Sequence, residues 1–488
     1  MKNKVPRRRR LPTPPASGRK PDLNLAPRDV EAMADELAVY HQLFHSQFRR
    51  SEQREWSEFY LRAQLSEIER KNIEAMVLRL IGPSPNAVRA VQQFIGEGRW
   101  DDQALLSELQ RQVAQTLGEA DAVVIVDGSG FPKQGQHSVG VAPQYCGLLG
   151  KIANCQEGVF LVYASQRGYT FLDRRLYLPK RWFQADHRKR WEACDIPNEV
   201  RFKTEPALAL EMLQALARAA VLPFRWVTAD EHFGEIPAFL DGIEALHKYY
   251  MIEVPINTHV WQTTPAVQQP GQGSSGRPRT RLRVWPQAAK AKTLGDIAAQ
   301  LPKAVWRTYV VKEGSKGPLV AAFAFLRVTR VRKGLPGSRV WAIFRRSLGP
   351  KPELKTFLSN APTTCAHLQL VRLTGLRWPV ETAIEEGKGE VGMDHYETRT
   401  WRGWHHQMTH SFLAHFFLVR MRVKLKKSAG HDHGASPQSG RLCSRAHRQN
   451  DQRNDCHGAI PSATKLRVLS LAPQTHAQTS STIPISCS

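Results

Sequence analysis

The spacing of hydrophobic residues divides the chain into a helical first part and a second part that forms sheet. From about Pro27 to Leu117, apolar residues recur every three or four positions, which predicts amphipathic helices. The stretch "GPSPN" at 82–86 interrupts this pattern and predicts a break between helices. After Gly118, short apolar runs bounded by turn residues replace the helical period, and these predict strands.

The segment 118–257 has the pattern of a mixed α/β sheet. Predicted strands cover 122–127, 158–165, 169–179, 224–230 and 249–257, and predicted helices cover 205–220 and 235–248. Three consecutive strands are followed by a helix, a strand, a helix and a strand, and this order is typical of an α/β sheet that mixes strand directions.

The remaining sequence predicts a β-rich insertion, two further helices and a tail. Residues 258–366 contain a Gln-, Gly- and Ser-rich loop and several short β segments, which predict a subdomain inserted into the core. Helical spacing returns at 377–392 and 404–425. Residues 427–488 show no periodicity and predict a disordered extension.

These patterns predict five segments along the chain. They are a flexible basic arm (1–29), a helical domain (30–117) whose expected role is DNA binding, an α/β core (118–257 and 367–426), a β-rich insertion subdomain (258–366) and a disordered tail (427–488). For the helical segment, a plain helix bundle with solvated charged faces is the alternative, because no recognition helix stands out.

The charge of the chain indicates a polyanionic partner. The 488 residues include 69 Lys and Arg against 44 Asp and Glu, a net charge of +25. A surplus of this size favours nucleic acid; solubility alone, or an anionic membrane surface, is the alternative. In the N-terminal arm, the run Arg7, Arg8, Arg9 and Arg10 can contact phosphates without a folded domain.

Cysteine usage and hydropathy predict a soluble protein with reduced thiols. The seven cysteines are scattered, form no C-x-x-C pair and lack the spacing of zinc ligands. The N-terminus is basic and proline-rich without an apolar segment behind it, so no signal peptide is predicted. The most apolar stretch, 411–421, is too short to cross a bilayer, and no membrane partner is expected.

Two aspartates that follow buried strands are the first candidates for chemistry. Asp127 ends the predicted strand "AVVIVD", and Asp230 ends "FRWVTAD". Carboxylates at the ends of neighbouring strands can share one site, and a set of oxygen ligands suits Mg²⁺ or Mn²⁺. The small residues Gly128, Ser129 and Gly130 are expected to leave room there for a DNA backbone. Taken singly, either aspartate is also explained as a turn or helix-capping residue.

A helix near the C-terminal end offers a third carboxylate. In "RWPVETAIEEGK", the side chains of Glu381, Glu385 and Lys388 fall on one helical face, with Arg377 just before the helix. A charged, solvated helix face is the alternative, but the apolar residues between the charges fit it poorly. The helix can therefore direct Glu381 toward the two aspartates.

These residues resemble the motifs of DDE transposases from bacterial insertion sequences. The spacing Arg377-x3-Glu381-x6-Lys388 is similar to the family's Tyr-x2-Arg-x3-Glu-x6-Lys pattern. The stretches "VIVDGSGFPKQGQHSVGVAPQYCGLLGK" and "VTADEHFGE" are similar to its first and second aspartate motifs, and "RGWHHQMTHSFLAHFFL" to the helix after its glutamate. The likeness covers about residues 45–425.

The resemblance implies a fold and a mechanism. It implies a ribonuclease H-like core in which Asp127, Asp230 and Glu381 hold two Mg²⁺ ions, with Mn²⁺ as a substitute, for phosphodiester cleavage and strand transfer. Arg377 and Lys388 are expected to hold DNA phosphates, and Lys133 is either a third phosphate contact or a solvated loop lysine.

The partners implied are double-stranded DNA, as the terminal inverted repeats of the element and as the target, and a second copy of the chain on that DNA. The location implied is the bacterial cytoplasm, in association with the nucleoid.

Two departures from the family pattern leave a second function open. Thr374 stands where the pattern has its Tyr, and the tail after Lys427 does not look like the family's ending. An active cut-and-paste transposase is the first hypothesis, and a catalytically degenerate copy that acts as a DNA-binding repressor is the second. A stand-alone ribonuclease H-like nuclease is a third, but it leaves the N-terminal helical segment without a purpose.

Two other motifs are set aside. "GKGEVG" at 387–392 matches the dinucleotide-binding pattern G-x-G-x-x-G, but it does not follow a predicted strand. His406 and His410 are four residues apart on a predicted helix, without the Glu of a zinc-protease motif. A polar strip on an amphipathic helix explains them better.

Overall fold

The computed structural model describes residues 27–271, 280–312 and 317–431, and for 27–33 and 426–431 it describes the backbone alone. The candidate phosphate contacts Arg7, Arg8, Arg9 and Arg10 lie outside the described residues, as does the predicted tail beyond residue 431. The backbone departs from two predicted boundaries. A helix already begins at Pro27, and the last helix continues to His431, within the segments predicted as arm and tail.

The first part of the described chain is helical. Its helices are α1 (Pro27–Gln42), α2 (Ser51–Leu65), α3 (Ile73–Leu80), α4 (Pro85–Gly96) and α5 (Asp102–Leu117). The break predicted at 82–86 separates α3 from α4, where the Ser84 hydroxyl accepts a hydrogen bond from the Ala87 amide and Pro85 begins the helix. Asp101 caps α5 in the same way, accepting hydrogen bonds from the amides of Gln103 and Ala104.

The second part of the described chain is built around strands, with helices between them. The strands are β1 (Val123–Pro132), β2 (Ala142–Cys146), β3 (Lys151–Ser165), β4 (Gly168–Tyr177), β5 (Trp226–Ala229), β6 (Tyr249–Val254), β7 (His259–Trp261), β8 (Val267–Gln268), β9 (Arg283–Val284), β10 (Lys292–Thr293), β11 (Arg307–Lys312), β12 (Leu319–Arg332), β13 (Leu335–Ser347) and β14 (Leu354–Ser359). The helices are α6 (Arg188–Ala193), α7 (Glu205–Ala219), α8 (Glu231–Gly234), α9 (Pro237–Ala245), α10 (Leu294–Gln300), α11 (His367–Thr374), α12 (Trp378–Gly389) and α13 (Trp401–His431).

Twelve of the described strands form one mixed sheet. Its order is β10-β7-β12-β13-β14-β6-β5-β1-β3-β2, with β4 also paired to β3 and β11 to β12. Strands β1, β5 and β6 run parallel to one another, and β3 runs antiparallel to β1, β2 and β4. The predicted mixed α/β sheet is therefore present in the structure.

The strands of the predicted insertion extend this central sheet. Strand β14 pairs antiparallel with β6, and β13, β12 and β7 follow outward from it. The insertion thus shares a continuous backbone hydrogen-bond network with the core at β6. Its boundaries as a subdomain stay a prediction.

Strand β1 is longer than its sequence predicts. The sequence predicts that this strand ends at Asp127, but it continues through the following Gly- and Ser-rich stretch to Pro132. The reason is its partner β3, which is long enough to pair with β1 from Val123 to Pro132. Asp127 consequently lies within β1, two residues beyond Ile125, the last residue of β1 that pairs with β5.

Helix α13 is buried against both the sheet and the N-terminal helices. Its residues from Gly403 to Val419 are all buried, including polar ones such as Gln407 and Ser411. The expectation that His406 and His410 lie on the polar strip of an amphipathic helix is therefore wrong. The two rings contact the N-terminal helical region, where His406 stacks on Trp100 at a ring-centre distance of 3.5 Å.

Buried hydrogen bonds hold the N-terminal helices to α13. The Tyr40 hydroxyl donates to the Leu413 carbonyl at 2.9 Å, and the Gln64 side-chain amide donates to the Ser411 hydroxyl at 3.0 Å. The apolar side chains of α1–α5 and of the sheet belong to one continuous core. The helical segment is therefore packed firmly against the sheet-bearing part through α13.

A buried ionic network fixes α12 against α13 and β4. The Glu386 carboxylate accepts hydrogen bonds from Arg422 at 3.0 Å and from the Tyr169 hydroxyl at 2.9 Å, and it lies 3.1 Å from His415 Nε2. Burial alone would raise the pKa of Glu386, but the hydrogen bond and charge of His415 and the Arg422 guanidinium lower it to about 2. Glu386 is therefore a structural carboxylate.

Two more sequence expectations concern membranes and thiols. Within the ranges that the structure describes, no helix is long and apolar enough to cross a membrane. The four cysteines in those ranges, Cys146, Cys155, Cys194 and Cys365, are free thiols.

A glycine at the end of α8 provides a test of the packing against β6. A Cβ at Gly234 would lie 1.9 Å from the Glu253 carbonyl oxygen, so Gly234→Ala must push α8 away from the sheet. We expect a loss of about 1–3 kcal/mol. At Gly96, at the end of α4, a Cβ meets nothing within 4 Å, and Gly96→Ala should stabilise by about 0.4–1 kcal/mol. Melting temperatures of both variants check this, and equal shifts would contradict it.

The ionic network predicts unequal effects for two neighbouring glutamates. Glu386→Gln leaves Arg422 and His415 without their anion and should destabilise by about 3 kcal/mol, the low end for a broken buried pair, because Arg422 is 26% exposed. The exposed Glu385 is the matched control, and Glu385→Gln should change stability by less than about 0.5 kcal/mol.

The effect of Glu386→Gln should also depend on pH. Since the Glu386 pKa falls from its ordinary 4.5 to about 2 on folding, its contribution is present above pH 4.5 and is lost as pH falls toward 2. Denaturation at several pH values measures this, and a pH-independent difference between the variant and the wild type would count against an ionised Glu386.

Candidate active site

The register of two parallel strands brings Asp127 and Asp230 to the same level. Val123, Val124 and Ile125 of β1 pair with Trp226, Val227 and Thr228 of β5, a constant offset of 103 residues (226 minus 123). Continued by two residues, the same offset places Asp127 opposite Asp230 (127 plus 103). The two aspartates predicted from sequence therefore lie near each other, just beyond the end of the β1–β5 pairing.

Asp127 is a buried carboxylate whose negative charge is disfavoured. Its side chain is 15% exposed, and its Oδ1 accepts a hydrogen bond from the Gly128 amide at 2.9 Å. Burial is the main cause that raises its pKa to about 7; the Arg377 guanidinium opposes this rise, and the charges of Asp230 and Glu381 add to it. A pKa moved this far beside like charges is typical of functional carboxylates.

Asp230 caps a helix and also lies near Asp127, so the two explanations that the sequence offers for it are compatible. Strand β5 ends at Ala229, and the Asp230 side chain accepts a hydrogen bond from the Phe233 amide at 3.3 Å, which caps α8. The same carboxylate is close enough to Asp127 to raise the pKa of that residue. The capping role therefore positions Asp230 and does not compete with a role at the site.

Arg377 links the third carboxylate to the first. One guanidinium nitrogen of Arg377, Nη2, lies 3.6 Å from Asp127 Oδ2 and 3.5 Å from Glu381 Oε1. Glu381 is in the first turn of α12 and its side chain is 57% exposed. The structure therefore places Glu381 in the same cluster as Asp127, with the Arg377 guanidinium close to both.

The carboxylates at this site suit a hard divalent cation, although they are not arranged as a complete coordination shell. Within the described ranges, no group of three or more His, Cys, Asp or Glu side chains is arranged to hold a metal ion. The three carboxylates of Asp127, Asp230 and Glu381 nevertheless offer only oxygen ligands, which Mg²⁺ prefers. The negative charges of Asp230 and Glu381 repel that of Asp127, and a bound cation would reduce this repulsion.

Lys388 and Lys133, two of the predicted DNA contacts, make contacts within the protein. Lys388 Nζ donates to the Gly130 carbonyl at 2.9 Å and lies 4.7 Å from the centre of the Phe131 ring. Lys133 Nζ donates to the Tyr396 carbonyl at 3.1 Å and lies over the Tyr396 ring. Burial lowers the pKa of both lysines, that of Lys133 to about 8.

Thr374 and Glu386 face the interior. The Thr374 hydroxyl donates to the Val371 carbonyl at 2.7 Å, and the residue is buried. It therefore does not present a phosphate contact where the family pattern has Tyr. Glu386, five residues after Glu381 on α12, contacts Arg422 and His415. Its neighbour Glu385 is exposed.

The structure adds acidic residues that the sequence analysis missed. Glu157 on β3 and Glu205 at the start of α7 both lie over Gly128, 3.0 Å and 3.6 Å from where a Cβ of that residue would be. His232 Nε2 lies 3.5 Å from the Glu205 carboxylate. Burial and the charge of Glu205 raise the pKa of Glu157 to about 8.

Glu157 changes the role assigned to the small residues of β1. Gly128 and Gly130 were expected to leave room for a DNA backbone, but the Glu157 side chain occupies the space beside both. Because residues alternate faces along a strand, this space is on the side of β1 opposite the Asp127 side chain. The only signal that the sequence carries for Glu157 is its position directly before the apolar run "GVFLVY".

The arrangement can bind a cation and a phosphate group at one place. Three carboxylates supply negative charge, and the Arg377 guanidinium, whose side chain is 29% exposed, lies beside two of them. A partly exposed guanidinium is suited to a phosphate oxygen. The site therefore has the components of metal-assisted phosphodiester chemistry.

Comparison with known proteins supports this interpretation. The chain is 26% identical over 198 residues to the probable transposase for insertion sequence element IS701 of Microchaete diplosiphon. The matched part is 40% of this chain and 47% of that protein, so the chain spans about half the length of the curated relative.

A solved structure shows only a weak likeness. The crystal structure of the NurA nuclease from Sulfolobus solfataricus aligns with 68% of this chain and 92% of its own, at 12% identity and a TM-score of 0.23. A TM-score this low does not establish a shared fold.

The match to a family profile is more extensive. The profile described as DDE superfamily endonuclease matches residues 43–318, more than half of the chain. The matched range contains Asp127 and Asp230 and ends before α12, which carries Glu381. The chain belongs to the DDE superfamily endonucleases.

Proposed function

We propose that the protein is a transposase that cuts DNA at the ends of its own element and joins those ends to target DNA. The observation that carries this proposal is the convergence of Asp127, Asp230 and Glu381 on one edge of the parallel strands, with Arg377 in contact with two of them. The family and the likeness to a probable insertion-sequence transposase support it.

The sheet supports a ribonuclease H-like core as part of this proposal. Strands β4, β3 and β1 form an antiparallel run, and β5 and β6 follow β1 in parallel. Asp127 and Asp230 lie on the two central strands of this set or directly after them. A carboxylate delivered by a helix then completes the set of three.

We propose Mg²⁺ as the cofactor, held by Asp127, Asp230 and Glu381 as two ions, with Mn²⁺ able to replace it. When bound, such ions activate the attacking oxygen and stabilise the leaving oxygen of an in-line phosphodiester displacement. The chain's own contribution is to hold three carboxylates in a partly buried place and to keep Arg377 within reach of them.

We propose that the Arg and Lys side chains around the site contact phosphates of the DNA backbone. Arg377 is the best placed, because it already contacts the carboxylate cluster and is 29% exposed. Lys388 and Lys133 would have to exchange a backbone carbonyl for a phosphate. Binding to both element ends and to target DNA, a dimer on that DNA, and a cytoplasmic location in association with the nucleoid belong to the same proposal.

A second candidate function rests on Thr374. Because this residue is buried and bonded within α11, the phosphate contact of the family pattern is missing. A copy that binds element ends without cutting them would act as a repressor. Cleavage, measured beside binding, separates the two functions.

We expect strand cleavage to require all three carboxylates. Purified protein with Mg²⁺ should excise a marked element from a plasmid, and Asp127→Asn, Asp230→Asn and Glu381→Gln should each lower the rate by more than about a hundredfold. A hundredfold is the upper end of the loss that removal of an outer-shell partner causes. Excision is measured on gels over time.

The control for this experiment is Glu385→Gln, one turn from Glu381 and exposed. It should cut at the wild-type rate. If the Glu381→Gln variant also cuts normally, Glu381 is not the third carboxylate. If wild-type protein binds element ends but cuts nothing, the repressor is the better description.

We also expect Mg²⁺ to stabilise the protein without DNA. A ligand that binds only the folded state at a hundred times its Kd adds about 2.7 kcal/mol. The rise in melting temperature should be present at pH 8 and mostly lost at pH 5, because the Asp127 carboxyl, with a pKa of about 7, is then protonated. Asp127→Asn should abolish the rise and Glu385→Gln should keep it; an equal rise in both would refute the assignment of Asp127.

A further inference from the structure

One face of the sheet carries Asp127 and continues toward the strands of the predicted insertion. Ile125 of β1 is opposite Thr228 of β5, and Thr228 is opposite Met251 of β6. Residues opposite each other on neighbouring strands point to the same face, and side chains alternate along a strand. Asp127 and Glu253, each two residues further along, therefore lie on one face of the sheet.

The same face continues from β6 to β13. Glu253 is opposite Phe357 of β14, and Lys355, two residues from Phe357, shares its face. The Lys355 Nζ donates to the Glu253 carboxylate at 2.9 Å, as expected for side chains on one side of the sheet. Lys355 is in turn opposite Arg345 of β13. The face with Asp127 thus carries cations where the sheet passes into the insertion.

Arg307 lies at the outer end of this row. Arg345 is opposite Phe323 of β12, and Phe323 is opposite Arg307 of β11. The Arg307 side chain is exposed. Burial, and to a smaller extent the charge of Arg307, lowers the pKa of His367 at the start of α11. Arg307 therefore points to the side of the sheet on which α11 lies.

A β-bulge turns Lys312 to the same side. Arg307 and Lys312 are five residues apart, so in a regular strand their side chains would point to opposite faces. The register of β11 shifts between Val310 and Lys312, and Lys312 pairs with Leu319 of β12. Because Leu319 and Phe323 are four residues apart on β12, Lys312 and Arg307 share one face. Lys312 is exposed as well.

Strand β11 ends beside the start of α12. A Cβ at Gly375 would lie 2.7 Å from Val311 Cγ1, and the Lys312 Nζ lies 5.8 Å from the centre of the Trp378 ring. Trp378 is the first residue of α12 and directly follows Arg377. The exposed cation at the end of β11 is therefore next to the helix turn that carries the third carboxylate.

Arg345 holds β13 to the segment that leads into α12. Its Nη1 donates to the Thr374 carbonyl at the end of α11, at 3.2 Å, and its guanidinium carbon lies 5.4 Å from the centre of the Phe357 ring. Since β13 pairs with β12 and β12 with β11, this contact ties the insertion to the site. Arg307 and Lys312 are thus held in a fixed relation to Arg377.

We infer that Arg307 and Lys312 form a phosphate-binding strip, by which the β-rich insertion holds the DNA duplex on one side of the cleavage position. The inference rests on the proposed function and assigns a role to the insertion. From Arg307 to Lys312 the strand spans about 17 Å, at about 3.4 Å per residue. This is the length of about five base pairs at about 3.4 Å each, so the strip can follow a DNA backbone away from Arg377.

The chemistry of the strip fits a nucleic-acid backbone. Two exposed cations on one strand face, with a third at the carboxylates, can each contact a phosphate, and the chain as a whole carries a net charge of +25. Phosphate contacts fix the position of a duplex without reading its sequence. We therefore expect the strip to position DNA, while recognition of the element end lies elsewhere.

The test removes two positive charges at either end of the same pair of strands. Arg307→Gln with Lys312→Gln changes the strip. Lys333→Gln with Arg339→Gln is the matched control, because both residues are exposed and lie at the β12–β13 turn. A third variant, Arg307→Lys with Lys312→Arg, keeps both charges. Melting temperatures verify that all three fold.

The probes are three duplexes from one end of the genomic element that encodes this chain. One extends well past the cleavage position on both sides, and the other two are cut short on the element side or on the flanking side. Affinity is measured at several salt concentrations without Mg²⁺, so that no strand is cut. The shortened duplexes distinguish element DNA from flanking DNA as the occupant of the strip.

We expect the strip variant to reduce the slope of log affinity against log salt by about two on the long duplex. On one of the two shortened duplexes its slope should equal that of wild type, because the phosphates that the strip contacts are then missing. The control variant and the charge-keeping variant should match wild type on every duplex.

Three results overturn the inference. The strip variant has the wild-type slope on the long duplex, the control lowers the slope equally, or both shortened duplexes show the same loss as the long one. Failure of the proposed function is distinguishable from these results. Wild-type protein would then cut no duplex when Mg²⁺ is added, whatever the salt slopes show.

Discussion

The buried carboxylate of Glu386 is the interaction on which the position of the candidate site depends. It joins α12 to Arg422 and His415 of α13 and to Tyr169 of β4, and α13 in turn carries the N-terminal helices. Glu381 lies in the first turn of the same α12 helix, five residues earlier. The buried ionic contacts of Glu386 therefore fix the position of the exposed Glu381 carboxylate.

Two carboxylates in this structure illustrate opposite uses of burial. Glu386 is surrounded by cationic and hydrogen-bonding partners, which lower its pKa to about 2 and keep it charged. For Asp127, the Arg377 guanidinium and the hydrogen bond from the Gly128 amide do not offset burial and the charges of Asp230 and Glu381, and its pKa rises to about 7. The first arrangement stabilises the fold. At Asp127, the repulsion between carboxylates is an unfavourable interaction that a bound cation can relieve. For this reason we assign the functional role to the Asp127 cluster and a structural role to Glu386.

Much of the fold was predictable because its signals are local. Apolar periodicity marked α2, α5 and α7, and apolar runs marked β1, β5 and β6. Asp127 and Asp230 were found because each follows such a run. The extension of β1 to Pro132 was not predicted, because the residues after Asp127 are typical turn formers and only the length of β3 keeps them in a strand. Glu157 and Glu205 were missed for a related reason, since neither has a local pattern that indicates its neighbour.

The sequence by itself determined the mixed α/β class, the basic charge and the order of three candidate carboxylates. Hydrophobic periodicity, composition and motif spacing are properties of the linear sequence and need no knowledge of the fold. The tertiary structure alone decided which charges meet. Pairing of β1 with β5 brings together residues 103 positions apart, and Arg377 bridges Asp127 to Glu381, which are 254 positions apart (381 minus 127). It also decided that His406 and Thr374 are interior residues. Burial and distance arise only when separate elements pack, and pKa values, ion pairs and accessible surfaces follow from them.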